Sequence, residues 1–558
     1  MTQDDLAGDR ALRWMAFGLM LTAVAMQPIF VAAFWRVTWD DSAITLAFAR
    51  TFAQTGVIEG TAGSGIIEGY STPLWMFAMA AIARIVGDAG ILLTAAKVGT
   101  CLLGMGNVVL VRQVLKAWGE DFVADLTAGV FGLLELTIYE SINAMETPLM
   151  LTLLLTAVLF LPRGTKGRPV LFTASLCLFV LVRFEAILLA LPLLLFVEPW
   201  RRRVMVGAAC ALTFLASELA RLHYFGSWLP ATIQAKRHLP YSAATRLLEL
   251  KRHLLPAITL SRSLAMPLIV LLLACGLAWI SGRSALLKAW SDLREHGRTH
   301  HEIHIAIALG AAGLLLDFGV GQNWGPTDRE LFAALPFLVY LLLRMTMTIA
   351  GSAHRRSILS AVLLALVSYR VVRTWQRMAE PAAPLYMPMI TVQRVASLAT
   401  PVEQIREAAN LPELTFATPD VGGVMLFGKH LRVLDLGLLC DRRLSRTGYA
   451  GAADYLLTER RPEVFEVHSF WTSLVGVEFA PALYENYVPM VVNDTRYFVR
   501  RDVFARFAER TVSQDFTASG IALAGGKSAV HAGPTYPDYA DVDSRINRKY
   551  GTYATFRE

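Results

Sequence analysis

Along the first two thirds of the chain, apolar runs alternate with short polar joints, and their lengths sort by what a bilayer core requires, roughly 20 residues of helix. The pattern predicts membrane spans at about 14–34, 91–115, 121–139, 147–162, 169–184, 186–199, 204–225, 256–281, 303–320, 331–349 and 358–374. The run 73–86 is shorter and carries Arg84, so it reads as a juxtamembrane or half-dipping helix. The basic residues check this count, because Lys and Arg in short loops mark the cytoplasmic side. Arg10 and Arg13 precede the first span. Arg112/Lys116, Arg163/Lys166/Arg168, Arg201/Arg202/Arg203, the stretch 283–298 and Arg355/Arg356 then fall on the same side as the N-terminus. Counting 73–86 as a full span would put all of them on the other side.

Beyond residue 375 the apolar runs shorten and alternate with turn residues. Strands are expected at 414–417, 432–436, 464–467 and 497–499, with helices at 401–410 and 450–459 between them, a pattern that suggests a small α/β domain. The fold class that follows is a polytopic α-helical membrane protein of about 11 transmembrane helices plus juxtamembrane helices, with a C-terminal α/β soluble domain. Its parts are a membrane domain, 1–374, with an outer loop at 36–90, and a C-terminal domain, 375–558, placed outside by the odd number of spans. Residues 510–558 show little periodicity, and no internal repeat is evident.

Composition agrees. Of the 558 residues, 55% are hydrophobic and 17% charged, with mean hydropathy +0.46, far more apolar than a soluble domain needs. The net charge of +7 follows from the cytoplasmic loops, so a nucleic-acid partner is not expected. Four of the five cysteines fall in apolar runs and only Cys440 in the polar part, which speaks against a disulfide framework. The first apolar run lacks a small-residue cleavage site and reads as a retained anchor in a bacterial inner membrane.

Candidate chemistry gathers in the loop from Trp39 to Trp75. Asp40 and Asp41 stand side by side directly after the first span. Neighbouring carboxylates raise one another's pKa, so such a pair can supply a base or bind a cation. The alternative is a helix cap, because Ile44, Phe48 and Phe52 recur at helical spacing behind them. Glu68, Tyr70 and Trp75 close the loop with a third acid and two interfacial aromatics. The outer helix ends collect Glu135, Glu140, Glu146, Arg183, Glu185, Glu218, Arg221, Asp317 and Asp328, and Lys97 lies in the outer half of its span. Ionisable groups there face a cavity or a partner; structural pairs such as Glu218 with Arg221, or Arg183 with Glu185, are the alternative. In the segment 223–237, Lys236 and Arg237 could meet a phosphate, with aromatics to flank a sugar or headgroup. His300, His301 and His304 have no second ligand cluster nearby, so no metal site is expected there. No phosphate-cradling glycine loop stands in a strand-to-helix context, which disfavours a soluble nucleotide donor.

Taken together these stretches resemble the GT-C membrane glycosyltransferases, and within them the bacterial arabinofuranosyltransferase group that includes the terminal β-(1→2) enzymes of mycobacterial cell walls. The residues that carry the resemblance are Asp40-Asp41-Ser42-Ala43-Ile44-Thr45, Glu68-Gly69-Tyr70-Ser71-Thr72-Pro73-Leu74-Trp75, Ala144-Met145-Glu146-Thr147-Pro148-Leu149, Arg183-Phe184-Glu185-Ala186, Tyr224-Phe225-Gly226, Leu229-Pro230-Ala231-Thr232, Ala235-Lys236, Gly321-Gln322-Asn323-Trp324 and Arg329-Glu330-Leu331-Phe332. Thr418-Pro419-Asp420-Val421-Gly422 and Val433-Leu434-Asp435 are more loosely similar. The chain departs from the family at Asn323, where an acid is usual, at Phe184, where Pro is usual, and at Ala231, where Asn is usual.

The resemblance implies cell-wall biogenesis by transfer of a sugar, arabinofuranose by analogy, from a polyprenyl-phosphate donor to a glycan or other glycoconjugate acceptor on the periplasmic side. It implies Asp40 or Asp41 as general base, Asp40 by analogy, and Lys236, Arg237 and Arg329 at the donor phosphate. Glu68, Tyr70, Trp75, Glu146, Arg183, Glu185, Asn323 and Trp324 would line the substrate site. A divalent cation (Mg, Mn or Ca) held by Asp40 and Asp41 is left open. The rival readings are a transporter or flippase of lipid-linked sugars, for which inverted repeats are a common sign and none is seen, and a related enzyme using another sugar such as mannose.

Overall fold

The computed structural model describes residues 3–119, 121–162, 167–237, 256–280, 291, 301–320, 329–379, 390–468, 470–492, 495–511 and 521–522. Among them, four helices are long and apolar enough to cross a bilayer: Arg10–Ala33, Ala89–Ala117, Trp200–Phe225 and His354–Ala379. Shorter apolar helices, among them Thr147–Leu159, Pro169–Val180, Leu264–Ile280, His301–Leu316 and Leu335–Ala350, pack with them around one core that runs from Ala16 to Val367. Helix is the form these runs take because in hydrocarbon every backbone N–H and C=O must be paired within its own segment.

The run 121–139, expected as one span, is broken. Leu134 is extended (φ −65°, ψ 141°), and the helices Asp121–Gly132 and Glu135–Ile142 meet at 59°. Gln27 Nε2 donates to the Gly132 carbonyl at the break, at 2.6 Å. A Cβ on Gly132 would stand 2.6 Å from Val108 and 2.8 Å from Ala23, so the absence of a side chain lets two neighbouring helices close on the bend. Glu135, the first residue beyond it, accepts from Arg370 at 3.1 Å and Arg377 at 3.2 Å, which ties the bend to the last long helix.

The short run forms a helix over Pro73–Val86, 14 residues with Pro at its first turn. At 1.5 Å per residue that is about 21 Å, less than the roughly 30 Å of a hydrocarbon core. It lies against the helix Asp40–Thr55, with the rings of Phe52 and Phe77 edge to face at 5.6 Å.

The C-terminal unit is built on a six-stranded sheet: β1 (Leu414–Thr418), β2 (Leu431–Asp435), β3 (Val464–Glu466), β4 (Tyr487–Val492), β5 (Thr495–Arg500) and β6 (Ile521–Ala522). Its order is β2-β1-β3-β5-β4-β6, with β2, β1 and β3 parallel and β5, β4 and β6 antiparallel. The helix expected from residue 401 begins earlier and covers Val392–Ala408, because the Thr391 hydroxyl accepts the Arg394 N–H at 3.3 Å and Pro401 is accommodated inside it. One sheet face packs on Leu456, Leu457 and Trp471. The other shares a single core with the outer loop: Phe416, Val433 and Val464 of the sheet meet Leu46 and Phe48 of Asp40–Thr55, Met76 of Pro73–Val86, and Val395. The outer loop is therefore packed as much into the C-terminal unit as onto the membrane bundle.

Candidate active site

Asp40 and Asp41 form the first turn of the helix Asp40–Thr55, but neither acts as its N-cap; that position is Trp39, which makes no side-chain cap bond. The Asp40 carboxylate turns to the C-terminal unit instead. Its two oxygens accept the N–H groups of Gly422 at 2.8 Å and Gly423 at 2.7 Å, the opening amides of the helix Gly422–Phe427. The backbone is fixed to match: Asp40 N–H donates to the Ile390 carbonyl at 3.0 Å, and Val392 N–H to the Thr38 carbonyl at 2.9 Å. Asp40 is 5% exposed, whereas Asp41 is half-buried. Burial first, then the charge of Asp420, hold the Asp40 carboxyl well above the usual carboxylate range, against the pull of the two amides and with a further push from Asp41.

Behind this contact lies a second group of ionisable residues at the carboxyl ends of adjacent parallel strands. His468 sits between Asp420 (Nε2 to Oδ2, 3.3 Å) and Glu466 (Nδ1 to Oε1, 2.6 Å), and the Thr418 hydroxyl donates to the other Glu466 oxygen at 2.8 Å. Burial alone would pull the imidazole down, but Glu466 and Asp420 raise it to about 10. Asp435, paired with Thr418 across β1 and β2, accepts N–H bonds from Gly437, Leu439 and Cys440 at 2.6–2.7 Å. These carboxylates shape the turns that face the outer loop.

Two arginines organise the remaining acids. Arg221 holds Glu68 through Nε at 2.6 Å and NH2 at 3.3 Å, and binds Glu218 one turn back on its own helix. Arg183 bridges Glu146 at 2.7 Å and Glu185 at 2.5 Å. The clusters are neighbours, since the Arg221 guanidinium lies over the Phe184 ring at 5.8 Å. The pairs considered from spacing alone thus form, each enlarged by a third residue distant in sequence. Burial pushes Glu68 up to about 7, more than Arg221 draws it down, and Glu218 adds to the rise. Tyr70 stacks edge to face on Phe48 at 5.3 Å, and Trp75 Nε1 donates to the Ala144 carbonyl at 3.3 Å. Lys97 donates to the Trp35 carbonyl and the Thr38 hydroxyl and lies over the Trp35 ring at 4.6 Å, so it fastens the strand of chain that enters the acid pair.

Lys236 and Arg237 end the helix Ala231–Arg237, whose first N–H donates to the Glu68 carbonyl at 3.2 Å; for them and for Arg329, on the turn Arg329–Phe332, the description covers the backbone. Asn323, Trp324 and Asp328 lie outside the described residues. Two residues the sequence reading missed are Arg442 and Arg446, which line a cleft with Glu68, Ser227 and Gln234, Arg446 donating to the Gly226 carbonyl at 3.2 Å. Among the described residues no group of three or more His, Cys, Asp or Glu is arranged to hold a metal. Each Asp40 oxygen accepts one amide N–H, which leaves it fewer lone pairs to offer a cation shared with Asp41.

The chain is similar in fold to a solved structure, ArnT from Cupriavidus metallidurans in the apo state. The likeness covers 88% of this chain and 98% of that one, at 12% identity and a TM-score of 0.51. The chain has the GT-C fold. A weaker likeness, TM-score 0.42 at 9% identity over 86% of this chain and 74% of the other, is to the archaeal oligosaccharyltransferase AglB from Archaeoglobus fulgidus in complex with an inhibitory peptide and a dolichol-phosphate. No family model matches the sequence, and no curated protein matches it. Within the GT-C fold of this chain, the acid pair, both arginine-centred clusters and the Arg442 cleft belong to one region, where the outer loop meets the bundle and the C-terminal unit.

Proposed function

We propose that the chain is a glycosyltransferase that moves a sugar from a polyprenyl-phosphate donor to an acceptor hydroxyl on the periplasmic side of a bacterial inner membrane. The sequence resemblance supports arabinofuranose as the sugar and a cell-wall glycan as the acceptor. The observation that carries the reading is the acid pair itself, held at the junction of membrane bundle and soluble unit, Asp40 buried on the amides of Gly422 and Gly423 and Asp41 half-buried beside it. The acceptor oxygen attacks the anomeric carbon as its proton passes to Asp41; the bond to the phosphate oxygen breaks, and the lipid phosphate leaves with the electron pair. Analogy with the family favours Asp40 as the base. What supports Asp41 is that each Asp40 oxygen already accepts a backbone amide, which leaves Asp40 fewer lone pairs for a substrate proton, while Asp41 is the more exposed of the two. Lys236 and Arg237 on the helix beside Glu68, and Arg442 and Arg446 across the cleft, supply cations for the departing phosphate. The Glu68–Arg221 and Glu146–Arg183–Glu185 clusters offer acceptors for sugar hydroxyls.

The test is to incubate purified protein with polyprenyl-phosphate pentoses and hexoses and to follow sugar transfer and lipid-phosphate release. Turnover of one donor, falling by on the order of 10²–10⁴-fold in Asp41→Asn with binding retained, is the expected result. Movement of intact donor between the leaflets of proteoliposomes, without release of lipid phosphate, would replace this reading with the transporter one.

A further inference from the structure

The C-terminal unit does more than cap the bundle. Asp40 reaches across 382 positions of sequence to Gly422, and the contact is made from both sides. From the membrane side come the two carboxylate oxygens, one on each glycine amide. From the other comes a backbone without side chains: a Cβ on Gly422 would overlap the Asp40 carbonyl oxygen and stand 2.9 Å from its Cγ and Oδ1. The flanking chain is tied at the same place, by the Trp39–Thr391 bridge and by Arg50 NH1 on the Leu426 carbonyl at 2.6 Å, at the far end of the Gly422–Phe427 helix. Val433 N–H, on β2, donates to the Thr61 hydroxyl at 3.0 Å, so the later part of the outer loop is docked on the same sheet.

We infer that Asp40 is a positioning residue and that the Asp420-Val421-Gly422-Gly423 turn is a clamp through which the C-terminal unit sets the orientation of Asp41 for sugar transfer. The inference rests on the proposed reaction, and it assigns the soluble unit a part in catalytic geometry. A carboxylate bridging two consecutive amides fixes the pitch of the first helical turn, and Asp41 is the next residue on that turn. A displacement of about 1 Å at such a point is enough to cost on the order of 10²-fold in rate.

A base and a clamp respond differently to the same substitutions. An amide keeps one acceptor oxygen for the clamp and has none of the basicity, so for a clamp Asp40→Asn retains clearly more turnover than Asp40→Ala, and for a base the two are equally inactive. Gly422→Ala leaves every titratable group in place, and Ala is the better helix former, so it acts only by pushing on Asp40. Expected are a roughly 10–100-fold fall in kcat with donor KM within about threefold for Gly422→Ala, and hydrogen exchange that quickens at 39–46 and 420–424 together in Gly422→Ala and in Asp40→Ala. Turnover in Gly422→Ala equal to the parent, or Asp40→Asn as inactive as Asp40→Ala, overturns the inference. Exchange at 420–424 that ignores residue 40 overturns it as well, and that readout needs no donor. If Asp41→Asn is fully active while the exchange coupling is present, the proposed reaction of the loop fails and the clamp survives as a structural fact only.

Discussion

Arg221 carries two buried carboxylates. It is flanked by Glu68 and Glu218, all three are at most 8% exposed at the side chain, and its guanidinium lies over Phe184. Replacing a buried ion pair wholesale can be neutral, but removing one partner strands the other. Arg221→Met keeps the length and apolar stem of the side chain and leaves two carboxylates without their cation. A loss of about 3–5 kcal/mol is expected in denaturant unfolding of detergent-solubilised protein. The double substitution with Glu68→Gln should recover part of it; equal stability of the single and double variants would mean that Glu68 does not depend on Arg221. The identities of these residues were legible in the sequence, since charged groups at the ends of apolar runs are costly unless they have partners. The third member of each cluster was not: Glu68 is 153 positions from Arg221, and nothing local announces that separation. Asp40 illustrates the same limit, for its local context allows a helix cap as well as chemistry, and its partner lies in another part of the chain.

Among the elements, those with a strong period were predicted well and those set by tertiary contact were not. Apolar runs became helices where expected, and β1, β2, β3 and β5 fall within a residue or two of the expected strands. The strand β4 was missed because Pro489 lies in its middle, opposite Phe498, and proline within an alternating run argues against a strand. The bend at Leu134 is a contact effect of Gln27, Gly132 and Glu135 that a hydropathy window averages away. At the end of β3 the geometry makes a pH prediction. His468, raised to about 10 between Asp420 and Glu466, contributes stability that is fully present below about 6.5 and is lost as pH rises through 10. Thermal unfolding of the parent should therefore lose on the order of a few kcal/mol across that window. His468→Gln should be less stable at pH 6 and nearly flat across the window, so parallel pH curves for the two proteins would remove the charged imidazole from the account.

For the whole molecule, the deciding question is the side of the membrane on which the junction lies. The positive-inside pattern predicts the loops at Arg112/Lys116, Arg201–Arg203 and Arg355/Arg356 in the cytoplasm, and the Asp40 loop and C-terminal unit opposite them. The shared core supports one part of this, because Leu46 and Phe48 pack directly with Phe416 and Val433, so the Asp40 loop and the sheet must lie on the same side. They have to move together in any topology. That makes the measurement internally controlled. Single cysteines in place of Ser227 and Gly451 should react with a membrane-impermeant maleimide in intact cells, and cysteines in place of Gly164 and Gly297 only after permeabilisation. Cys101, Cys210 and Cys440 are buried, whereas Cys177 and Cys275 are half-buried, so the parent for labelling carries Cys177→Ser and Cys275→Ser. Labelling at Ser227 and Gly451 only after permeabilisation would invert the molecule and with it the side of the reaction. Labelling from opposite sides of the membrane at the two positions is excluded by the contact of Arg446, in the C-terminal unit, with the Gly226 carbonyl beside Ser227, and its occurrence would show that this contact does not form in the membrane.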